Sequence, residues 1–353
     1  MAIFDQHHFS ELFRQFCFDA VLVLLMTYAA TVKAQAQPAT RAESIVSPAW
    51  VKALLDFQSG QATRPSGYIN NRFVILETSW ANLNDAKDYR AEHLPGAIHL
   101  NTDELENGYP RWLLRPLQEL QNVIGAHGIT PETTVIVYGK QTIAAARVWW
   151  VLNYAGVKDV RLLNGGLAAW KSAGYATEAT INQPLRTRFS AQPRTKWLAT
   201  TDYVRQKIRS RDTLLADARS QTEFLGERSG YEYMDFKGRI PSAISIGDAD
   251  DAARLYVNAD GSLRDASEIL AMWKAAGLLN DGREVIFYCG SGWRSSLAFL
   301  YAWVLGFDRI RNYSDGWAGW STLYSPDPRA KGNTPGWRQQ RTRNPIVTGA
   351  PKS

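Results

Sequence analysis

One cysteine in this chain stands where it can do chemistry. The segment Glu284 to Ser296, EVIFYCGSGWRSS, sets Cys289 between an apolar run and a loop of small residues, and the only other cysteine among 353 residues is Cys17. A lone thiol is either a small buried hydrophobe or a nucleophile. The loop favours the nucleophile, because Gly290 and Gly292 let the backbone take φ > 0 and turn successive peptide N–H groups toward one point near the sulfur. A helix starting after the loop adds its positive end. Both features stabilise a thiolate and any anion built on it. Ser291 and Ser295 are placed either to donate hydroxyls to that anion or to cap the helix. Arg294 puts a cation in the first turn, against the macrodipole, at a cost of a few tenths of about 1 kcal/mol. Its compensation is either an anionic substrate bound over the loop or an acidic side chain of the protein.

The elements that must position this loop follow from its flanks. Val285 to Tyr288 reads as a buried strand, and Leu297, Leu300, Tyr301 and Val304 recur at helical spacing, so the periodicity starts a helix about six residues after the cysteine. The carboxyl ends of strands in open α/β sheets are where ligands bind. The unit occurs twice. TVIVYGKQTIAAARVWWVL and DVRLLNGGLAAW in the first half answer EVIFYCGSGWRSSLAFLYAWVL and RIRNYSDGWAGW in the second. Aligning Gly139 with Cys289 superposes Leu163 on Tyr313 and Trp170 on Trp320, two tryptophans that read as core anchors. Upstream, FVILETS answers TLLADARS, and EHLPGAIHL answers GRIPSAISI. Short apolar runs alternate with helical patterns, which predicts an α/β fold of two tandem domains, each a mostly parallel sheet flanked by helices. The copies span 45–180 and 196–330, with a linker at 181–195 and a tail at 331–353 that both lack apolar periodicity. With Gly139 and KQTIAAAR in place of the nucleophile loop, the first copy is expected to be catalytically silent.

Composition limits the partners. The chain is 45% hydrophobic and 21% charged with a formal charge of +6, the balance of a globular protein, and it has no run of five basic residues. A nucleic-acid partner is therefore not expected, and small anions fit the charge better. Phe16 to Val32 is apolar apart from Asp19 and two threonines, and Ala34 and Ala36 follow as small residues. Residues 1–36 read as a secretory leader, which predicts an exported, periplasmic protein with no stable membrane insertion once the leader is removed. Its loss also takes Cys17 away, leaving Cys289 with no internal disulfide partner.

The repeats, YCGSGWRSS, LLADARS, the GRIPSA and HLPGA segments, and the closing GWAGW and GGLAAW resemble the tandem rhodanese-domain sulfurtransferases over nearly the whole chain beyond the leader. The resemblance implies that Cys289 takes a sulfane sulfur from an anionic donor, becomes a persulfide and passes the sulfur to cyanide or a thiol, with Gly290 to Ser295 as the amide cradle. It implies neither metal nor organic cofactor. It also implies a donor-binding role for Arg219, for which the repeats offer support: Asp217 answers the acidic Glu77, whereas Arg219 answers Ser79. A salt bridge from Arg219 to Asp217 is the alternative. Arg228 is a weaker candidate of the same kind, and Glu223 stands where relatives often carry a basic residue. CGSG is similar to the loop of 3-mercaptopyruvate sulfurtransferases, but those continue with valine and a hydroxyl residue. Here Trp293, expected to wall the mouth of the site, and Arg294 favour thiosulfate. The alternatives are 3-mercaptopyruvate as donor, or a persulfide-carrying partner protein with little small-molecule turnover. A cysteine phosphatase needs its arginine six positions after the cysteine; here that position is Ser295.

Overall fold

The computed structural model describes residues 40–247, 254–329 and 336–351. The leader expected at residues 1–36 lies outside them. In the first half, β1 (Ile45–Val46), β2 (Phe73–Ser79), β3 (Ile98–Asn101), β4 (Thr134–Tyr138) and β5 (Asp159–Leu163) form one sheet in the order β1-β5-β4-β2-β3. In the second, β6 (Thr213–Asp217), β7 (Ile244–Ser245), β8 (Glu284–Tyr288) and β9 (Ile310–Asn312) are ordered β7-β6-β8-β9. Every pairing in both sheets is parallel. Parallel strands need crossovers, and helices supply them. They are α1 (Pro48–Gln58), α2 (Lys87–Ala91), α3 (Leu117–Ala126), α4 (Thr142–Ala155) and α5 (Gly166–Ser172), then α6 (Thr201–Lys207), α7 (Gln221–Leu225), α8 (Ala266–Ala275), α9 (Trp293–Val304) and α10 (Gly316–Ser321).

Strand register confirms the duplication residue by residue. Phe73 faces Thr134 and Glu77 faces Tyr138, as Thr213 faces Glu284 and Asp217 faces Tyr288. Gly139 and Cys289 thus leave equivalent central strands. The fifth position of the second sheet is a single parallel bridge, Leu198 to Asn312.

The two halves share a core. Ala144 to Asn153 of α4 are buried on every side, the pattern of a helix with no solvent face. Phe299 of α9 meets Trp149, Trp150 and Trp197 at ring-centroid distances of 6.5, 6.4 and 4.7 Å. The equivalent Trp170 and Trp320 are buried and donate their indole N–H to the carbonyls of Ala176 and Pro345.

The described residues of the segments that lack periodicity are held by long-range bonds. Asn182 of the 181–195 stretch donates to the Ala97 carbonyl, and Thr187 to that of Gly125. The sequence suggests a loose tail at 331–353, yet β11 (Trp337–Arg341) pairs antiparallel with β10 (Thr322–Pro326), and Val347 exchanges backbone hydrogen bonds with Arg239. Neither contact leaves a periodic trace, because the partners are far apart in the chain. Among the described residues, no helix is long and apolar enough to cross a membrane.

Candidate active site

Only Cys289–Gly292 separate β8 from α9. The helix therefore starts earlier than its apolar periodicity suggests: Gly292, at φ 90°, is a left-handed N-cap that admits Trp293 and Arg294 as the first two helical residues. The amides of Trp317 and Ala318 in α10 donate to the carbonyls of Cys289 and Gly290 at 2.7 and 3.0 Å. Because a trans peptide opposes its C=O and N–H, those bonds turn the N–H groups of Gly290 and Ser291 away from α10. The Gly292 N–H donates to Cys289 Sγ at 3.2 Å, and the Ser295 hydroxyl lies 3.6 Å from the same sulfur. A Cβ at Gly290 would lie 2.1 Å from the Tyr231 ring, so any larger residue there must displace that ring.

Asn312, at the end of β9, clamps this loop. Its Oδ1 accepts from the Ser295 hydroxyl at 2.7 Å, and its Nδ2 donates to the Gly292 carbonyl at 3.3 Å and to Ser296 Oγ at 3.0 Å. Sequence reasoning missed Asn312, although the duplication contains the signal. The equivalents of Ser295, Ser296 and Asn312 in the first half are Ala145, Ala146 and Leu162, so this side-chain network has no counterpart there.

Cys289 is fully buried and does not itself line the neighbouring cleft of about 340 Å³, which its loop reaches through Ser291. Of the expected residues, Ser291, Trp293, Arg294 and Arg228 line this cleft, together with Glu223, Tyr231 and Tyr233. Gly290, Gly292 and Ser295 build the loop behind it. The compensation for Arg294 is a protein side chain: its guanidinium forks onto Glu223 at 2.7 and 2.9 Å and lies 5.4 Å from the Tyr231 ring. Burial alone would raise the Glu223 carboxyl, but the Arg294 fork overrides it and holds the group at about 2. Glu223 thus serves as the partner of the loop arginine. Arg228 is exposed at the cleft and donates to Ser220 Oγ at 3.3 Å.

Arg219 takes the alternative place, a salt bridge rather than a cleft contact. It is fully buried, pairs with Asp217 at 2.7 Å, donates to the Gly238 carbonyl at 2.8 Å and stands 4.7 Å from the Trp317 ring. The donor-binding role implied by the resemblance is not what this position displays: the side chain turns back over its own strand end, and Arg219 is not among the residues lining the cleft.

The first half contributes a carboxylate that the sequence did not single out. Glu106 lines the cleft, and its Oε1 accepts from Arg147 Nε at 3.0 Å and Trp293 Nε1 at 2.8 Å. Burial raises its carboxyl to about 7 despite both donors. Arg147 answers the apolar Leu297 across the repeat, and its guanidinium also donates to Ser314 at 2.9 Å.

The corresponding loop of the first half is closed to a side chain at Gly139. A Cβ at Gly139 would lie 2.4 Å from the Thr78 carbonyl oxygen and 2.8 Å from the Thr78 hydroxyl, which itself bonds to the Tyr138 carbonyl. Gly139→Ala should therefore destabilise the protein by about 1–3 kcal/mol, read as a lower denaturant midpoint; an unchanged midpoint would mean that the strand end yields easily.

The rhodanese-like domain model matches residues 70–173 and 200–323. The thiosulfate sulfurtransferase YnjE of Escherichia coli is 34% identical over 87% of this chain, which spans 66% of YnjE. A putative thiosulfate sulfurtransferase of Haloferax volcanii is 31% identical over 82% of this chain and 96% of its own. Among solved structures, wild-type EanB is similar with a TM-score of 0.75 and 32% identity, covering 89% of this chain and 71% of EanB. The crystal structure of YnjE is similar at 0.73 and 33%, covering 89% and 70%. With both halves matched and the strand registers superposing Gly139 on Cys289, the chain belongs to the rhodanese-like family and carries its domain twice.

Proposed function

We propose that this protein is a thiosulfate sulfurtransferase that works through a Cys289 persulfide. The observation that carries the reading is the sulfur at the carboxyl end of β8, accepting the Gly292 N–H at 3.2 Å at the start of α9. The Cys289 thiolate attacks the outer sulfur of thiosulfate, a new S–S bond forms, the old one breaks, and sulfite leaves with its electron pair. Cyanide or a thiolate then takes that outer sulfur and the Cys289 thiolate returns. The loop amide and helix end stabilise negative charge on both sulfurs. With only Cys289–Gly292 between strand and helix and the arginine five positions after the cysteine, the ring suits one sulfur atom. Arg228 at the cleft, with Arg294 and Ser291, supplies the positive and donor wall for the sulfonate end. Names of relatives that include thiosulfate support this donor over 3-mercaptopyruvate. Incubation with thiosulfate and then cyanide should yield a one-sulfur mass gain on Cys289 followed by thiocyanate, and a chain that gains no sulfur sinks the reading.

The same reading assigns residues 45–180 to a silent domain and 196–330 to the catalytic one, joined through 181–195. The apolar Phe16 to Val32 run, with Ala34 and Ala36 after it, supports export to the periplasm. Amino-terminal sequencing of the secreted form tests it.

Arg294→Ala should have two effects. Loss of the guanidinium strands the buried Glu223, costing about 3–5 kcal/mol of stability, and it removes a donor from the cleft, lowering kcat/KM for thiosulfate by about 1–3 kcal/mol. Because Glu223 is held below its unfolded value, the pair's contribution is present above the ordinary carboxyl range and is lost as pH falls toward about 2. The variant should therefore show a flatter loss of stability in acid than wild type. An unchanged kcat/KM would restrict Arg294 to a supporting role.

A further inference from the structure

The cleft has a second end, built mainly by the silent half. Trp80 and Trp112 meet edge to face with ring centroids 4.9 Å apart, and Trp80 stands 6.3 Å from Trp293. All three line the cleft beside Glu106. Trp80 is 60% exposed yet tied down, its indole N–H donating to Asp103 at 2.9 Å. Trp112 holds φ 50°, a left-handed conformation that costs a bulky side chain on the order of 1–3 kcal/mol. Its buried indole N–H has no hydrogen-bond partner. Glu106 is 1% exposed, and while Oε1 serves Arg147 and Trp293, its buried Oε2 has no partner either. Backbone strain and two unsatisfied polar atoms therefore coincide at one aromatic corner, and the fold does not compensate them internally.

Indole faces around a carboxylate oxygen are complementary to an organic cation bearing N–H groups. The two acidic residues of the cleft are separated by the way adjacent residues diverge: Trp293 turns to Glu106 in the first half, and Arg294 to Glu223 in the second. One end therefore offers Arg294, Arg228 and Ser291 to an anion, and the other offers indoles and a free carboxylate oxygen. Resting on the sulfurtransferase reading above, we propose that the Trp80, Trp112, Trp293 and Glu106 corner is the acceptor subsite and that it selects an aminothiol, with the ammonium among the indoles and an N–H donated to Glu106 Oε2. The aminothiol's thiolate attacks the outer sulfur of the Cys289 persulfide. The Cys289 S–S bond breaks, its electron pair returns to Cys289 as thiolate, and the aminothiol leaves as a hydropersulfide after taking up one proton from solvent.

The test measures acceptor preference on sulfur-charged protein. Cys289 is charged with thiosulfate, or with polysulfide if thiosulfate leaves it unchanged; failure with thiosulfate alone bears on the donor reading and not on this subsite. Discharge is then timed with cysteamine and with 2-mercaptoethanol at equal thiolate concentration, in wild type, Glu106→Gln and Trp80→Ala. The wild-type preference for cysteamine should fall on the order of tenfold in each variant. Comparing ratios between proteins cancels the intrinsic reactivity of the two thiols, and the exposed Trp80 provides a variant whose folding does not depend on the buried carboxylate. The same ratio in all three proteins overturns the proposal.

Discussion

Cys289→Ser is expected to abolish thiocyanate formation, a fall of at least about 10³-fold, with neither sulfur gain nor burst of sulfite. Stability should hardly change. The substitution is close to isosteric at a fully buried position, and a serine oxygen can still accept the Gly292 N–H, so a shift below about 1.5 kcal/mol is expected in a denaturant melt. The combination is what discriminates. A lost activity with a collapsed fold would describe a core cysteine, whereas persistent thiocyanate formation would remove the persulfide from the mechanism.

Arg219→Ala should produce the opposite pattern, a large stability loss with donor affinity changed little in whatever folded fraction remains. Arg219 and Asp217 are both fully buried, and the Tyr288 hydroxyl also donates to Asp217 at 2.6 Å. Deleting the guanidinium leaves a carboxylate in the interior that has lost the Nε contact to Oδ1 and the Nε and Nη2 contacts to Oδ2, at a cost of about 3–5 kcal/mol. Arg219→Lys should recover only part of this, because an ammonium cannot span both oxygens. Chemical denaturation gives the first quantity and the thiosulfate KM the second. A raised KM with unaltered stability would restore Arg219 as a donor contact and contradict the geometry.

These two residues mark how far sequence reasoning reached. Cys289 was legible because its signal is local: an apolar strand, two glycines and a helical repeat within a dozen residues place a thiol at a strand end whatever surrounds it. Arg219 carried a signal that pointed elsewhere. Its absence from the first repeat suggested a site residue, but a salt bridge is equally free to appear in one copy, and only the direction of the side chain separates the two. Arg294 shows the same limit. Its unfavourable place in the helix announced a compensating anion, and the identity of that anion, Glu223, depended on a contact 71 positions away in the chain.

By itself the sequence determined the duplication, the parallel α/β architecture and the placing of a cysteine in a glycine loop at a strand end, because strand and helix periodicities and glycine positions are written in adjacent residues. Tertiary structure alone decided that Asn312 clamps the loop, that Gly139 is shut by Thr78, and that the first half walls the cleft with Trp80, Trp112 and Glu106. Those outcomes rest on distances of a few ångströms between segments far apart in the chain, and no local pattern of hydrophobicity or charge encodes which distant side chain arrives first.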